Sequence, residues 1–284
     1  MASLVSTSSS ASLEFPNVNP GDVVGGFTIG RPISSGTYCC VYACCRAGTE
    51  GDDDSPYAVK IYTSSPGYED VHANEIRAHT QIGEHPHVIS LIAYGKDGGV
   101  CYMVLERASR TLFSSISSRG PMPVSIALKA LKQILLAISY LHDRRVSWGD
   151  VKGENILVVP TGANNKRAVI KISDFGSCVF QDDETYDVIC TPVFQSPETI
   201  IESVYTPSSD IWALGCLLFE MVTGEVLFME GTFDESDSDS DSELSTSDGD
   251  EFEDAADAAD AADAADAADA ADAVDAVDAV DAVD

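Results

Sequence analysis

The chain has 284 residues and a formal net charge of −31, and its composition changes sharply after residue 230. Residues 231–284 hold 21 acidic residues and no Lys or Arg, so residues 1–230 carry a net charge of only −10. Phosphate backbones require clustered cations, so this balance excludes a nucleic-acid binder that works by bulk electrostatics. No unbroken run of about 18 apolar residues is present, which predicts no membrane-spanning helix.

The two ends of the chain are predicted to lie outside the folded domain. The Ser-rich start, residues 1–24, lacks the basic and apolar regions of a secretory signal and is expected to be a disordered leader. Residues 231–284 alternate Ser with acids and then repeat Ala-Ala-Asp, which predicts an acidic, low-complexity, disordered tail.

Eight cysteines without a secretory signal favour reduced thiols and a cytoplasmic location, with the nucleus left open. The adjacent pairs Cys39-Cys40 and Cys44-Cys45 raise the question of zinc. However, neighbours on a strand face opposite sides, and neither a CxxC spacing nor a His partner accompanies them. A zinc site is therefore disfavoured.

Strands precede helices along the rest of the chain. β-Branched and aromatic residues predict strands at about 27–34, 37–45 and 57–62, a helix over about 69–82, and strands at about 87–95 and 99–108. A long helix over about 123–142, short strands near 156–159 and 169–172, and a last helix over about 208–222 follow. This order predicts an α+β fold of two lobes with a cleft between them.

The long helix has apolar residues at steps of three and four, which predicts one buried stripe. The stripe consists of Val124, Leu128, Leu131, Leu135 and Ile138.

Charged residues with the chemistry for phosphoryl transfer occur in one order. Lys60 lies in the strand YAVKIY, and Glu75 follows 15 residues later on the next helix. A loop after the long helix then presents Asp150, Lys152 and Asn155. Phosphoryl transfer needs cations for the phosphates, oxygen ligands for Mg²⁺ and a carboxylate for the attacking hydroxyl. These residues are candidates for all three tasks.

A second set of motifs completes the pattern. Asp174-Phe175-Gly176 follows Asp150 by 24 residues, and the segments TPVFQSPE (191–198) and SDIWALG (209–215) come later. In this order the motifs resemble those of the protein kinase family, from about residue 27 to 228. The resemblance implies a two-lobed kinase fold, ATP and Mg²⁺ as cofactors, and transfer of the ATP γ-phosphate to a protein hydroxyl. Lys152 and Thr191 are similar to the serine/threonine rather than the tyrosine pattern.

The same resemblance implies a role for each candidate residue. Lys60 would hold the α- and β-phosphates, positioned by Glu75. Asp150 and Lys152 would be catalytic, the first orienting the substrate hydroxyl and the second steadying the γ-phosphate. Asn155 and Asp174 would bind Mg²⁺, which prefers such oxygen ligands. The other residues expected to line the nucleotide site are Ser34, Gly36, Val41, Ala58, Leu105, Glu106, Ala108 and Leu157.

Several positions depart from the family pattern. Of the glycine-rich loop only Gly36 remains, because Ser34 and Cys39 occupy the other two glycine positions. Trp148-Gly149 replaces the usual His-Arg, and the lost arginine predicts activity that does not depend on activation-loop phosphate. His79 occupies a position that is apolar in the family, and we expect a buried histidine with satisfied hydrogen bonds rather than a pH switch.

The predicted domain covers residues 25–230, with an N-lobe of about 25–106 and an incomplete C-lobe of about 109–230. A serine/threonine kinase with ATP and a protein substrate as partners is the favoured function. The alternative is a pseudokinase or truncated kinase that acts as a nucleotide- or partner-binding scaffold. A third hypothesis places the function in the acidic tail. The sequence leaves the oligomeric state open.

Overall fold

The computed structural model describes residues 14–49, 55–65, 69–161, 167–183 and 190–228. The predicted acidic tail lies outside these residues. A β-rich N-lobe precedes a mostly helical C-lobe, as predicted. The N-lobe is one antiparallel sheet with the strand order β1-β2-β3-β4-β6-β5. Its strands are β1 (Val23–Val24), β2 (Phe27–Ser35), β3 (Cys39–Arg46), β4 (Tyr57–Tyr62), β5 (Leu91–Asp97) and β6 (Val100–Glu106).

The N-lobe also contains the helix α1 (Glu69–Ile82) and the end of the predicted leader. The Glu14 amide donates to Ser65 Oγ over 2.6 Å, and the Glu14 carbonyl accepts from Thr63 Oγ1 over 2.6 Å. Strand β1 pairs with β2 at the edge of the sheet. Residues 14–24 therefore contact the lobe, and the boundary expected at residue 25 falls after these contacts begin.

Within the described residues, the C-lobe consists of helices and two small sheets. Its helices are α2 (Leu112–Arg119), α3 (Val124–Asp143), α4 (Pro197–Glu202) and α5 (Pro207–Thr223). Its strands are β7 (Arg110–Thr111), β8 (Val146–Ser147), β9 (Ile156–Thr161), β10 (Arg167–Ile172) and β11 (Val179–Phe180). Sequence analysis did not predict α2, in which Thr111 forms a capping box with Ser114.

The buried stripe predicted for α3 is mostly wrong, because Ile138 is the one fully buried residue of its five. Val124, Leu128 and Leu135 are 62%, 51% and 40% exposed. The buried face is rotated toward smaller side chains, and it comprises Ala127, Ala130, Gln133, Ile134, Ala137, Ile138 and Leu141. Alanines let α3 approach β10 and α5 closely, so small size rather than hydrophobicity decides which face is buried.

Among the described residues, α3 is also one helix that is long and apolar enough to cross a membrane by length and composition alone. Core helices pass the same test, and α3 packs seven residues into the C-lobe. The sequence contained no unbroken apolar run because Lys129 and Lys132 interrupt this helix.

The two lobes share one hydrophobic core. Ile82 and Met103 of the N-lobe and Leu141 and Phe175 of the C-lobe belong to the same buried cluster. A backbone hydrogen bond of 3.0 Å from the Ile89 amide to the Ile172 carbonyl also crosses between the lobes. This continuous packing fixes β4 and α1 relative to the loops of the C-lobe that face them.

Candidate active site

Three of the predicted residues meet between the lobes. Lys60 Nζ, on β4, lies 2.7 Å from each carboxylate oxygen of Glu75 on α1. It also lies 3.2 Å from Asp174 Oδ1 in the loop after β10. Strand, helix and loop thus each supply one charge. The pairing of Lys60 and Glu75 across 15 residues, suggested by the sequence, is present.

Charge and burial oppose each other at this cluster. Burial disfavours the ammonium of Lys60, but the carboxylates of Asp174 and Glu75 outweigh it and raise the Lys60 pKa well above its ordinary value. The Lys60 charge in turn lowers the pKa of Asp174. Tyr62 donates its hydroxyl to Glu75, a contact that sequence analysis missed. Lys60 and Asp174 are therefore both charged at neutral pH.

A second group forms around Asp150. Lys152 Nζ lies 2.6 Å from Asp150 Oδ2, and Thr191 Oγ1 donates to Asp150 Oδ1 over 2.7 Å. Asn155 Nδ2 donates to the Asp150 carbonyl and to its Oδ2, both over 2.9 Å. The Asp150 carboxylate thus already accepts a hydrogen bond from an aliphatic hydroxyl. This is the contact that a substrate serine or threonine requires.

The oxygen atoms in the cleft suit Mg²⁺. The side-chain nitrogen of Asn155 donates its hydrogen bonds to Asp150. The side-chain oxygen of Asn155 is therefore the atom that can bind a cation. Asp174 adopts a positive φ of 61°, unusual for a non-glycine residue, and its side chain is 47% exposed. A carboxylate and an amide oxygen beside a bound polyphosphate are ligands that this hard cation prefers. Asn155 and Asp174 are therefore suitable ligands for Mg²⁺.

The residues predicted to line the nucleotide site lie around these charges. In the sheet, Val41 pairs with both Ser34 and Lys60, and Ala58 pairs with Leu105. Ala108 and Leu157 pack against the same buried cluster as Leu105, which provides an apolar surface.

The side chain of Glu106 also joins two strands. Its carboxylate accepts from the Ser90 amide over 2.8 Å and forms an ion pair with Lys171. Its side chain therefore connects β6 to β10, and its backbone can still contact a nucleotide.

The eroded glycine-rich loop still forms a turn. The Gly36 amide donates to the Cys39 carbonyl over 2.8 Å, which joins the ends of β2 and β3. Cys39 replaces a glycine with a partly buried thiol that packs against the core. Burial raises its pKa to about 11, so the thiol is protonated and poorly reactive at neutral pH.

Trp148 and Gly149 have clear structural reasons for their types. The fully buried Trp148 donates its indole N–H to the carbonyls of Ser173 and Asp174, over 3.1 and 3.3 Å. Gly149 has a φ of 87°, and a Cβ atom there would lie 2.0 Å from the Ser177 carbonyl oxygen. Both backbone amides donate to the buried carboxylate of Asp210, over 2.8 and 3.1 Å.

His79 is buried as expected, but its hydrogen bonds are not satisfied. Its ring packs edge-on against Phe175, with ring centroids 4.9 Å apart. Its Nε2 has no hydrogen-bond partner among the described residues. Burial and then the charge of Lys60 lower its pKa to about 4, so it fills its position as a neutral ring.

Two acids after β11 hold the start of the activation segment. The guanidinium of Arg77 on α1 donates two hydrogen bonds to the Asp183 carboxylate, over 2.7 and 2.8 Å. The same guanidinium lies over the ring of Phe180 in a cation–π contact. Asp182 accepts from Arg145 over 2.7 Å. Both acids are thus paired with arginines.

Comparison with known proteins agrees with this geometry. The family model for the protein kinase domain matches residues 27–264, which extends past the boundary predicted at residue 230. The chain is 30% identical over 219 residues to the carbon catabolite-derepressing protein kinase of Candida tropicalis. It is also 30% identical over 220 residues to a probable serine/threonine-protein kinase of Dictyostelium discoideum.

These matches cover 75% and 71% of this chain, but the chain spans only 34% and 29% of those two relatives. The fold is similar to that of a kinase domain crystal structure, with a TM-score of 0.66 and 22% identity, covering 77% of this chain and 70% of that one. The chain therefore belongs to the protein kinase family.

Proposed function

We propose that this chain is a serine/threonine protein kinase that transfers the γ-phosphate of ATP to a protein hydroxyl. The observation that carries the proposal is the assembled pair of groups, Lys60 with Glu75 and Asp174, and Asp150 with Lys152 and Asn155. The named serine/threonine kinases among its relatives support the choice of acceptor.

Each residue has a definite task in this proposal. Lys60, held in place by Glu75, provides the positive charge for the α- and β-phosphates. Asn155 and Asp174 would hold Mg²⁺, which would neutralise phosphate charge when bound. Lys152 steadies the γ-phosphate.

Asp150 orients the acceptor hydroxyl and takes its proton. In the structure the hydroxyl of Thr191 donates a hydrogen bond to Asp150 Oδ1, with an oxygen–oxygen distance of 2.7 Å. A serine or threonine side chain of a substrate is short enough to reach the same oxygen, and a tyrosine ring would require more space beside Thr191. This contact favours aliphatic hydroxyls as acceptors.

The alternative of a catalytically silent scaffold is less favoured. Loss of activity in a kinase-like domain requires the absence or misplacement of a group that handles phosphate, metal or proton. All six groups are present, and they lie within hydrogen-bond distance of one another in two sets. The eroded loop at Gly36 weakens nucleotide contacts but removes no charge from the site.

The test is transfer of labelled phosphate from Mg·ATP to three matched peptides that differ only in Ser, Thr or Tyr at one position. We expect transfer to Ser and Thr, little to Tyr, and a loss of about 100-fold or more with Asp150→Asn. Equal rates for Asp150→Asn and the parent chain would contradict the assignment of Asp150. Transfer to none of the peptides would favour the scaffold.

A further inference from the structure

Tyr62, the last residue of β4, is a buried polar residue that has no role in the chemistry described so far. It is 2% exposed, and it lies on the same face of the strand as Lys60 because side chains alternate along a strand. Its hydroxyl donates a hydrogen bond to Glu75 Oε2 on α1 over 2.5 Å. Lys60 donates to the same oxygen over 2.7 Å. Tyr62 is therefore a neutral donor to the carboxylate that also binds Lys60.

The contacts of Tyr62 fix the direction of its hydroxyl. Its ring packs against the ring of His72 on α1, with ring centroids 4.7 Å apart. Its hydroxyl also lies 3.8 Å from the sulfur of Met103 on β6, which is a weak acceptor. Burial raises the pKa of Tyr62 well above its ordinary value, so the hydroxyl keeps its proton and remains a donor. Glu75 is the strong acceptor toward which this hydroxyl is already oriented.

Phosphate binding must change the hydrogen bonds of Lys60. An ammonium has three donors, and in the structure they contact both oxygens of Glu75 and one oxygen of Asp174. In the proposed function the same ammonium binds the α- and β-phosphates, so at least one of these donors must turn toward the nucleotide. A carboxylate that is 1% exposed, as Glu75 is, has little access to water that could replace the lost donor.

We propose that Tyr62 is a positioning residue for nucleotide phosphates, because its hydroxyl keeps Glu75 hydrogen-bonded when Lys60 turns toward them. The inference rests on the proposed kinase function and concerns the nucleotide half of its site. In this role Tyr62 needs no contact with the nucleotide, since it acts through Glu75 and Lys60. With a phenyl ring at this position, Glu75 would lose a donor to the phosphates and keep no neutral donor from β4. Phosphate binding would then be weaker.

A purely structural role for the hydroxyl predicts a different result. The free energy of unfolding of Tyr62→Phe would fall, but the folded molecules would bind every ligand of the cleft as before. A positioning role affects only ligands that carry phosphate, because adenosine places no charge near Lys60. The ratio of the Kd of adenosine to the Kd of Mg·ATP therefore separates the two roles. The adenosine value also shows whether the cleft of a variant is folded.

The main experiment measures both Kd values by isothermal titration calorimetry of the full chain, well below its unfolding midpoint. Tyr62→Phe should raise the Kd of Mg·ATP about 10-fold, as expected for one hydrogen bond to a charged group, and should change the Kd of adenosine less than about 2-fold. Tyr62→Met removes the same donor with a flexible apolar side chain, and it should give the same change even if the phenyl variant folds poorly. The matched control Tyr94→Phe, at a half-exposed ring of β5, should leave both values unchanged.

Kinetics provide a second readout. In Tyr62→Phe we expect the KM for ATP to rise about 10-fold, while the KM for a serine peptide stays the same. Phosphate transfer by the parent chain, with equal Kd ratios in the parent and both Tyr62 variants, would overturn the role of Tyr62 and leave the kinase function intact.

The remaining outcomes also distinguish the two proposals. Binding of Mg·ATP without transfer to any peptide would refute the kinase function, and the Kd ratio would still decide the role of Tyr62. An equal rise of both Kd values in the Tyr62 variants would show a general disruption of the cleft and would overturn the positioning role. A parent chain that does not bind Mg·ATP would overturn both proposals.

Discussion

The indole N–H of Trp148 donates to the carbonyl of Asp174, the residue proposed to bind Mg²⁺, over 3.3 Å. The same N–H contacts the carbonyl of Ser173 over 3.1 Å. Trp148 is itself held by Asp210, whose carboxylate accepts its amide. A hydrogen-bonded path thus runs from α5 to the loop that turns Asp174 into the cleft.

This path predicts the effect of Trp148→Phe. The phenyl ring keeps most of the buried apolar volume but leaves two buried carbonyls without their donor, which costs about 1–3 kcal/mol of unfolding free energy. We also expect weaker Mg·ATP binding, because Asp174 loses a support. Urea unfolding and nucleotide titration measure the two effects. Unchanged values for both would show that the indole N–H does not hold the loop.

The buried ion pair of Lys60 and Glu75 predicts non-additive substitutions. Glu75→Gln leaves a buried ammonium with only Asp174 as a counter-charge, and the expected loss is about 3 kcal/mol. Lys60→Met similarly leaves the buried Glu75 carboxylate without a counter-charge, with the Tyr62 hydroxyl as its remaining partner. The double variant should lose less than the two single losses together, by at least about 1 kcal/mol. Strict additivity in denaturant unfolding would mean that the two charges do not interact in solution.

His79 predicts a pH-dependent loss of stability. The unfolded chain protonates this histidine near pH 6.5, whereas the folded chain resists until about pH 4, so the unfolded state binds more protons between these values. Lowering the pH from 7.5 to 5.5 therefore costs about 1.4 kcal/mol through this group. His79→Leu should remove that part of the pH dependence. Parallel stability curves for the parent chain and the variant would contradict the buried, neutral ring.

The two arginine–aspartate pairs support activity without activation-loop phosphate. Gly149 stands where an arginine would bind that phosphate, while Asp183 and Asp182 already bind Arg77 and Arg145. Phosphatase treatment should therefore leave the rate of phosphate transfer unchanged, whereas Arg77→Ala should lower it. A chain that is inactive after phosphatase treatment would refute this prediction.

Local patterns predicted most of the elements. The helix expected over 69–82 is α1 (Glu69–Ile82), and the long helix differs from α3 by one residue at each end. Helix α2 was missed because its sequence, LFSSISSR, is rich in serine, which favours caps and turns over helix interiors. The buried face of α3 was misjudged because hydrophobicity ranks leucine above alanine, while close packing selected alanine.

The candidate site could be predicted only in part. The order of the motifs identified Lys60, Asp150 and Asp174 as candidates. In the structure each of them contacts another predicted site residue. The family resemblance did not predict the ion pair between Glu106 and Lys171, because these residues are 65 positions apart in the sequence.

Central to this account is that Lys60, Asn155 and Asp174 form one working Mg·ATP site. The most direct test is the thermal unfolding midpoint of the full chain with ATP and Mg²⁺, with ATP alone, and without ligand, compared with Asp174→Asn. Ligand binding to the native state raises the midpoint. We predict a rise that requires Mg²⁺ and that Asp174→Asn abolishes. A midpoint that does not respond to Mg·ATP, or an equal rise in Asp174→Asn, would contradict the site.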